Sequence, residues 1–80
     1  MNVFPNPTTG LVRVSAANLN AANAAIVAYD AAGRVVVNKE VTTVAGVLNT
    51  EVDFTKQPAG IYYITVEQNG ILGTFKVVVE

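Results

Sequence analysis

Six carboxylates, five cationic side chains, three tyrosines and a single serine make up most of the reactive groups of this 80-residue chain, which has neither histidine nor cysteine. Without histidine no side chain has an ordinary pKa suited to a general base near neutrality. Without cysteine there is no thiol nucleophile, and the common transition-metal ligand sets are missing too. Ser15 has no base beside it in sequence. Of Asp30, Glu40, Glu51, Asp53, Glu67 and Glu80, only Glu51 and Asp53 fall close together on one strand face, whereas calcium takes roughly six to eight oxygens. The two read as a solvated polar face, so no catalytic site, metal site or cofactor is expected. Thr8-Thr9-Gly10 lacks the lysine and glycine spacing of a phosphate-binding loop and reads as a turn. Strand alternation puts Tyr63 outward and Tyr62 inward, and one outward tyrosine is ordinary strand packing; Tyr29 stays ambiguous. Lys39-Glu40 reads as a solvated edge.

These groups sit on a small, weakly charged frame. Charged residues are 14% of the chain and apolar ones 51%, with a net charge of −1. No basic cluster of the kind that neutralises phosphates is present, so nucleic acid is not an expected partner. No apolar run approaches the ~20 residues of a membrane-spanning helix. No charged segment followed by an apolar one opens the chain, so no secretory signal peptide is expected within it. A chain this short buries only about 60% of its unfolded surface and supports one core, which makes residues 1–80 a single domain.

Gly and Pro recur at the even spacing of short strands joined by turns. Leu48 to Phe54 alternates cleanly, with Leu48, Thr50, Val52 and Phe54 on one face and Asn49, Glu51 and Asp53 on the other. In Ile61 to Gln68, Tyr62, Ile64 and Val66 face inward and Tyr63, Thr65 and Glu67 outward. Asn69-Gly70 is suited to a two-residue type I′ hairpin leading into Ile71 to Glu80, where Phe75, Val77 and Val79 face inward. Asp30-Ala31-Ala32-Gly33 and Gln57-Pro58-Ala59-Gly60 carry type I turn preferences, which places strands at Ala24 to Tyr29 and Arg34 to Thr43. Pro5-Asn6-Pro7 forces a rigid bend and makes Leu11 to Ser15 a short edge strand. Ala16 to Ala25 reads as a loop with room for a helical turn. The expectation is an all-β, immunoglobulin-like antiparallel sandwich of about seven strands.

Three segments in order resemble one family. Val3-Phe4-Pro5-Asn6-Pro7-Thr8-Thr9-Gly10, followed by Val12 and Val14, is similar to the opening motif of the C-terminal sorting domains of type IX secretion cargo, also called Por secretion tails, of type A. Ile26 to Val36, with Asp30, Gly33 and Arg34 in its turn, resembles the family's central strand-turn-strand. Pro58-Ala59-Gly60-Ile61-Tyr62 and the closing Phe75-Lys76-Val77-Val78-Val79 resemble its last hairpin. The resemblance covers essentially the whole chain. It departs from the family at Glu80, where many members continue with a further basic residue.

The resemblance implies a recognition tag at the C-terminus of a larger exported protein from a Bacteroidota-type bacterium. Such a tag passes through the periplasm to the outer-membrane surface or the medium. Its partners would be the outer-membrane translocon and its shuttle proteins, with a sortase-like peptidase cutting upstream of the domain. Phe75, Lys76, Val77, Val78, Val79 and Glu80 are the candidate partner-facing residues, because a terminal strand with a free end can be captured by strand addition. Phe4, Pro5, Asn6, Pro7, Gly10, Asp30, Gly33, Arg34, Pro58, Gly60 and Tyr62 are candidate structural motif residues. A monomer is expected, with a strand-exchanged dimer accessible to the isolated tail. The alternative is a non-catalytic adhesive or carbohydrate-binding module, which needs an exposed aromatic row or clustered calcium-binding oxygens. An enzyme comes third, for want of histidine and cysteine.

Overall fold

The structure, a computed structural model, describes residues 2–5, 7–17, 19, 23–68 and 70–80, with the backbone alone described at 71 and 72. Seven strands and no helix form among the described residues: Asn2–Phe4 (β1), Leu11–Ala16 (β2), Asn23–Asp30 (β3), Val35–Thr42 (β4), Leu48–Asp53 (β5), Gly60–Glu67 (β6) and Ile71–Val79 (β7). They make a three-stranded sheet in the order β1-β2-β5 and a four-stranded sheet in the order β4-β3-β6-β7, with every named pairing antiparallel. This is the immunoglobulin-like sandwich expected from the strand pattern.

Period-2 alternation builds the core. Val12, Val14 and Ala16 of β2 and Leu48 and Val52 of β5 point from one sheet, and Ala24, Ile26, Ala28, Tyr62, Ile64, Val66, Val77 and Val79 from the other. Phe54 fills the space between them, its ring 4.9 Å from that of Tyr62. Burying each large aliphatic or aromatic side chain contributes roughly 1.5–3 kcal/mol, which is how a domain with no disulfide holds together.

Four expectations are corrected. Leu11–Ala16 is a central strand, flanked by β1 and β5, and the short edge is β1 instead. Pro5, joined to Phe4 by a cis peptide, marks where the chain leaves the smaller sheet, so the bend lies ahead of β2 and does not cost it a partner. The end of β7 is also not free: Thr8 crosses to the larger sheet, its N–H donating to Val78 O (2.9 Å) while Glu80 N–H donates to Thr8 O (2.9 Å). Near Pro58 the bonded turn falls three residues earlier than expected, spanning Phe54 to Gln57 and closed by Gln57 N–H donating to Phe54 O (2.9 Å). Lys39 points toward the smaller sheet instead of into solvent, and its ammonium donates to Glu51 O of β5.

The β6–β7 hairpin forms, but a register shift after Val66 sets Glu67 opposite Ile71, making the connection three residues long. Asn69, the first residue of the expected two-residue turn, lies outside the described residues. So do residues 18 and 20–22 of the expected 16–25 loop, where the helical turn would fall; the loop is shorter than expected, since Ala16 ends β2 and Asn23 starts β3.

Candidate partner-recognition site

Strand register decides which motifs meet. Gly60 stands opposite Val79, and Val79 is bridged in parallel to Thr8. Two rungs away, Asp30 stands opposite Tyr62 and Tyr62 opposite Val77. The three motif segments, separated by tens of residues in sequence, therefore gather at one end of the sandwich, the motif pole. Asn2 pairs with Ser15 at the far end of β1, so the chain enters from the direction of the opposite pole.

Each motif residue has a local reason to be there. Asp30 opens the β3–β4 turn, which Gly33 N–H closes by donating to Asp30 O (3.0 Å), with Gly33 at φ 89° where glycine carries no Cβ penalty. The Asp30 carboxylate accepts from Ala32 N–H (3.0 Å), Arg34 N–H (2.9 Å) and Arg34 Nε (3.1 Å). The Arg34 backbone N–H, ahead of the other donors, holds this carboxyl below its usual range. Arg34 extends outward, its side chain 78% exposed against 20% for Asp30. The Tyr62 hydroxyl donates to Pro58 O (2.5 Å), tying the β5–β6 loop to the core. At Gly10 (φ 145°) a Cβ would sit 2.6 Å from Thr55 Cγ2, so the close approach of loop to loop requires glycine.

Between the two turns runs a shallow, open groove of about 290 Å³. Asp30, Ala32 and Arg34 line one side, and Pro58, Ala59 and Ile61 the other. Its walls are mostly apolar, and among the described residues lining it only Arg34 is cationic.

The outer faces of the two sheets differ. On the three-stranded sheet, Arg13 Nη1 donates to Asn49 Oδ1 (2.8 Å) and Nη2 lies 3.8 Å from Glu51 Oε1, leaving a polar surface joined to itself. On the four-stranded sheet, cross-strand partners share a face, so Val35, Tyr29, Tyr63 and Lys76 form one outward row and Ile61 and Val78 lie in the next. Val35, Ile61 and Tyr63 are 49%, 40% and 39% exposed. Tyr29, ambiguous in the sequence, is thus an outward neighbour of Tyr63. Of the expected partner-facing residues, Lys76 and Val78 lie on this face and Glu80 at the pole, whereas Val77 and Val79 are buried and Phe75 packs against the core.

Thr8 is the residue sequence reasoning passed over. It is buried, its hydroxyl donates to Leu11 O (2.7 Å) and accepts from Gly10 N–H (3.1 Å), and its backbone holds β7. The signal available was its place directly after Pro7, where a side chain able to bond its own backbone stabilises a change of direction. Among the described residues no three acidic side chains come together as a metal site.

Neither a curated protein nor a solved structure matches the chain. The family model for the secretion system C-terminal sorting domain matches residues 2–80, essentially the full length, and fits the sorting reading and not the carbohydrate-binding one. The chain belongs to this family, the C-terminal signals through which the type IX secretion system directs larger cargo proteins across the outer membrane to the cell surface or medium.

Proposed function

We propose that residues 1–80 act as one non-enzymatic sorting domain whose motif pole, with the adjoining outer face of the four-stranded sheet, is the surface read by the translocon and its shuttle proteins. The observation that carries this is the convergence of all three motif segments at the pole away from Asn2. Cargo preceding Asn2 then hangs from the far side and leaves the pole open to a partner. The outward row Val35, Tyr29, Tyr63 and Lys76, with Ile61 and Val78 beside it, supplies the aromatic and aliphatic contacts that protein interfaces favour. The tag is read in the periplasm as a monomer, and a sortase-like peptidase cuts upstream of it. Recognition runs through side chains rather than strand addition at the chain end, because Thr8 already takes the Val78 carbonyl and the Glu80 amide. The open β4 edge is the place where isolated tails would exchange strands.

Deleting residues 75–80 is a poor test, since it removes the buried Val77 and Val79 and unfolds the sandwich. Outward substitutions separate recognition from folding. A signal peptide, a fluorescent reporter and these eighty residues, expressed in a type IX-competent bacterium, should place the reporter on the surface or in the medium. Tyr63→Ser with Lys76→Glu should hold it in the periplasm, while Glu51→Gln on the other sheet exports normally. Equal export of all three would refute the assigned surface, and periplasmic retention of the unaltered tail would refute the sorting role.

A further inference from the structure

The groove between the two turns has a donor geometry that selects among partner segments. Asp30 is engaged by its own turn: Oδ1 accepts two backbone amides and Oδ2 the Arg34 Nε, so most of its acceptor capacity is spent within the turn. Arg34 is held by that single Nε contact and presents its two Nη groups outward from a side chain 78% exposed. The pair is formally neutral, yet a partner approaching the groove meets cationic donors first. A guanidinium whose Nε is already fixed has lost much of the rotamer freedom that binding would otherwise cost it.

The opposite wall is apolar and stiff. Pro58 and Ala59 have little side-chain freedom to lose, and the Tyr62 hydroxyl anchors the Pro58 carbonyl from inside. Ile61, 40% exposed, continues this wall onto the outer face of the four-stranded sheet. The groove is shallow and open, which suits a segment passing through it rather than a small molecule enclosed by it.

We propose that this groove binds an extended segment of a partner protein in which a Glu or Asp side chain lies next to an aliphatic one. The carboxylate takes the outward Nη donors of Arg34 as a charge-assisted pair, and the aliphatic side chain lies against Pro58, Ala59 and Ile61. The proposal rests on the reading of the motif pole as partner-facing and adds the chemistry of what is recognised there.

The probe is the blocked peptide acetyl-Ser-Leu-Glu-Val-Ser-amide, titrated to millimolar concentration into the ¹⁵N-labelled 80-residue chain, with its Gln counterpart as control. The Glu peptide should move the amide signals of Ala31, Ala32, Arg34, Ala59, Gly60 and Ile61, and the Gln peptide should bind about two- to fivefold more weakly, as loss of one solvent-exposed charge pair implies. Arg34→Gln should abolish the difference between the peptides without moving the melting temperature appreciably, since the backbone bonds of the turn remain. Arg34→Lys should recover only part of it, because an ammonium cannot present the planar fork. Equal binding of both peptides, shifts confined to residues outside the groove, no shifts at all, or an unchanged preference in Arg34→Gln would each overturn the proposal. The reporter fusion separates the two levels: periplasmic retention of the unaltered tail defeats the sorting role, whereas normal export of Arg34→Gln defeats the groove's part in recognition and leaves the sorting role standing.

Discussion

The two poles of the sandwich differ in how heavily side chains finish them. At the motif pole, side chains close the turns: Asp30 accepts three donors, Asp53 accepts the Thr55 hydroxyl (2.5 Å) and amide (2.8 Å), Thr8 clasps β7, and Tyr62 holds Pro58. At the opposite pole Gln68 Nε2 donates to Asn23 O (3.0 Å), and backbone bonds shape the connection before β5. Val44 and Val47 exchange both hydrogen bonds at 2.9 Å, and Gly46 O accepts from Leu19 N–H (3.0 Å). Val44 there is 72% exposed. Side-chain closure demands particular residue types at particular positions, whereas backbone closure accepts many. The motif pole is accordingly the recognisable end of the chain and the end we propose a partner reads.

The largest expected effect tests whether the poles share one core. Phe54→Ala removes the largest fully buried side chain, whose amide also bonds Gly10 O (2.7 Å), and should cost about 3–5 kcal/mol. In amide hydrogen exchange, protection should fall at both poles together. Loss confined to the motif pole would show that the two ends open as separate units.

Thr8→Val comes next. It keeps the volume but leaves the Gly10 amide without its acceptor and the Leu11 carbonyl without its donor, at about 1–3 kcal/mol. The melting temperature should drop, and the Glu80 amide, which bonds the Thr8 carbonyl, should exchange faster while the 44–47 turn is unaffected. Equal loosening at both poles would break the contrast.

Acid should also act on one pole. Asp53 is held below its usual range chiefly by the Thr55 hydroxyl, and Asp30 chiefly by the Arg34 amide. A carboxyl with a depressed folded pKa contributes stability that is fully present above its unfolded value, about 3.9, and is lost as pH falls through the lower folded value. Between neutrality and pH ~4 the melting temperature should therefore stay flat in these groups' contribution, and it should decline below that. Asp30→Asn with Asp53→Asn should flatten the decline, as read from thermal melts across the acid range.

The same contrast explains how much could be read in advance. β5 was legible because its outer face is polar where its inner face is apolar, β6 and β7 because β-branched and aromatic residues run between turn-forming residues, and the Asp30–Gly33 turn because Asp and Gly sit where its hydrogen bonds need them. The convergence of the motifs was not, because it depends on register: only pairing Gly60 with Val79, and Val79 with Thr8, brings positions 8, 30, 60 and 79 together. The central place of β2 was not legible, because the Pro5-Asn6-Pro7 bend points to an edge strand after it, whereas Pro5 is the point where the chain changes sheets and β1 ahead of it supplies the edge. The reach of Lys39 to β5 was hidden by register as well, since its inward position follows from its pairing with Ile26.

The turn at 44–47 was hidden by its own residue choice, and it offers the smallest effect. Ala45 (φ 53°) and Gly46 (φ 76°) both adopt positive φ between paired valines, the backbone of a type I′ turn, for which Asn-Gly is the favoured sequence. Alanine in this region is disfavoured because its Cβ crowds the following carbonyl, whereas asparagine adopts it readily. Ala45→Asn should therefore stabilise the domain by on the order of 1 kcal/mol in thermal or denaturant unfolding. Export of the reporter fusion should be unchanged, because the change lies at the pole away from the motifs. A stabilised variant that exports poorly would mean that the far pole, too, is read by the machinery, and the division between a recognised end and a permissive one would have to be abandoned.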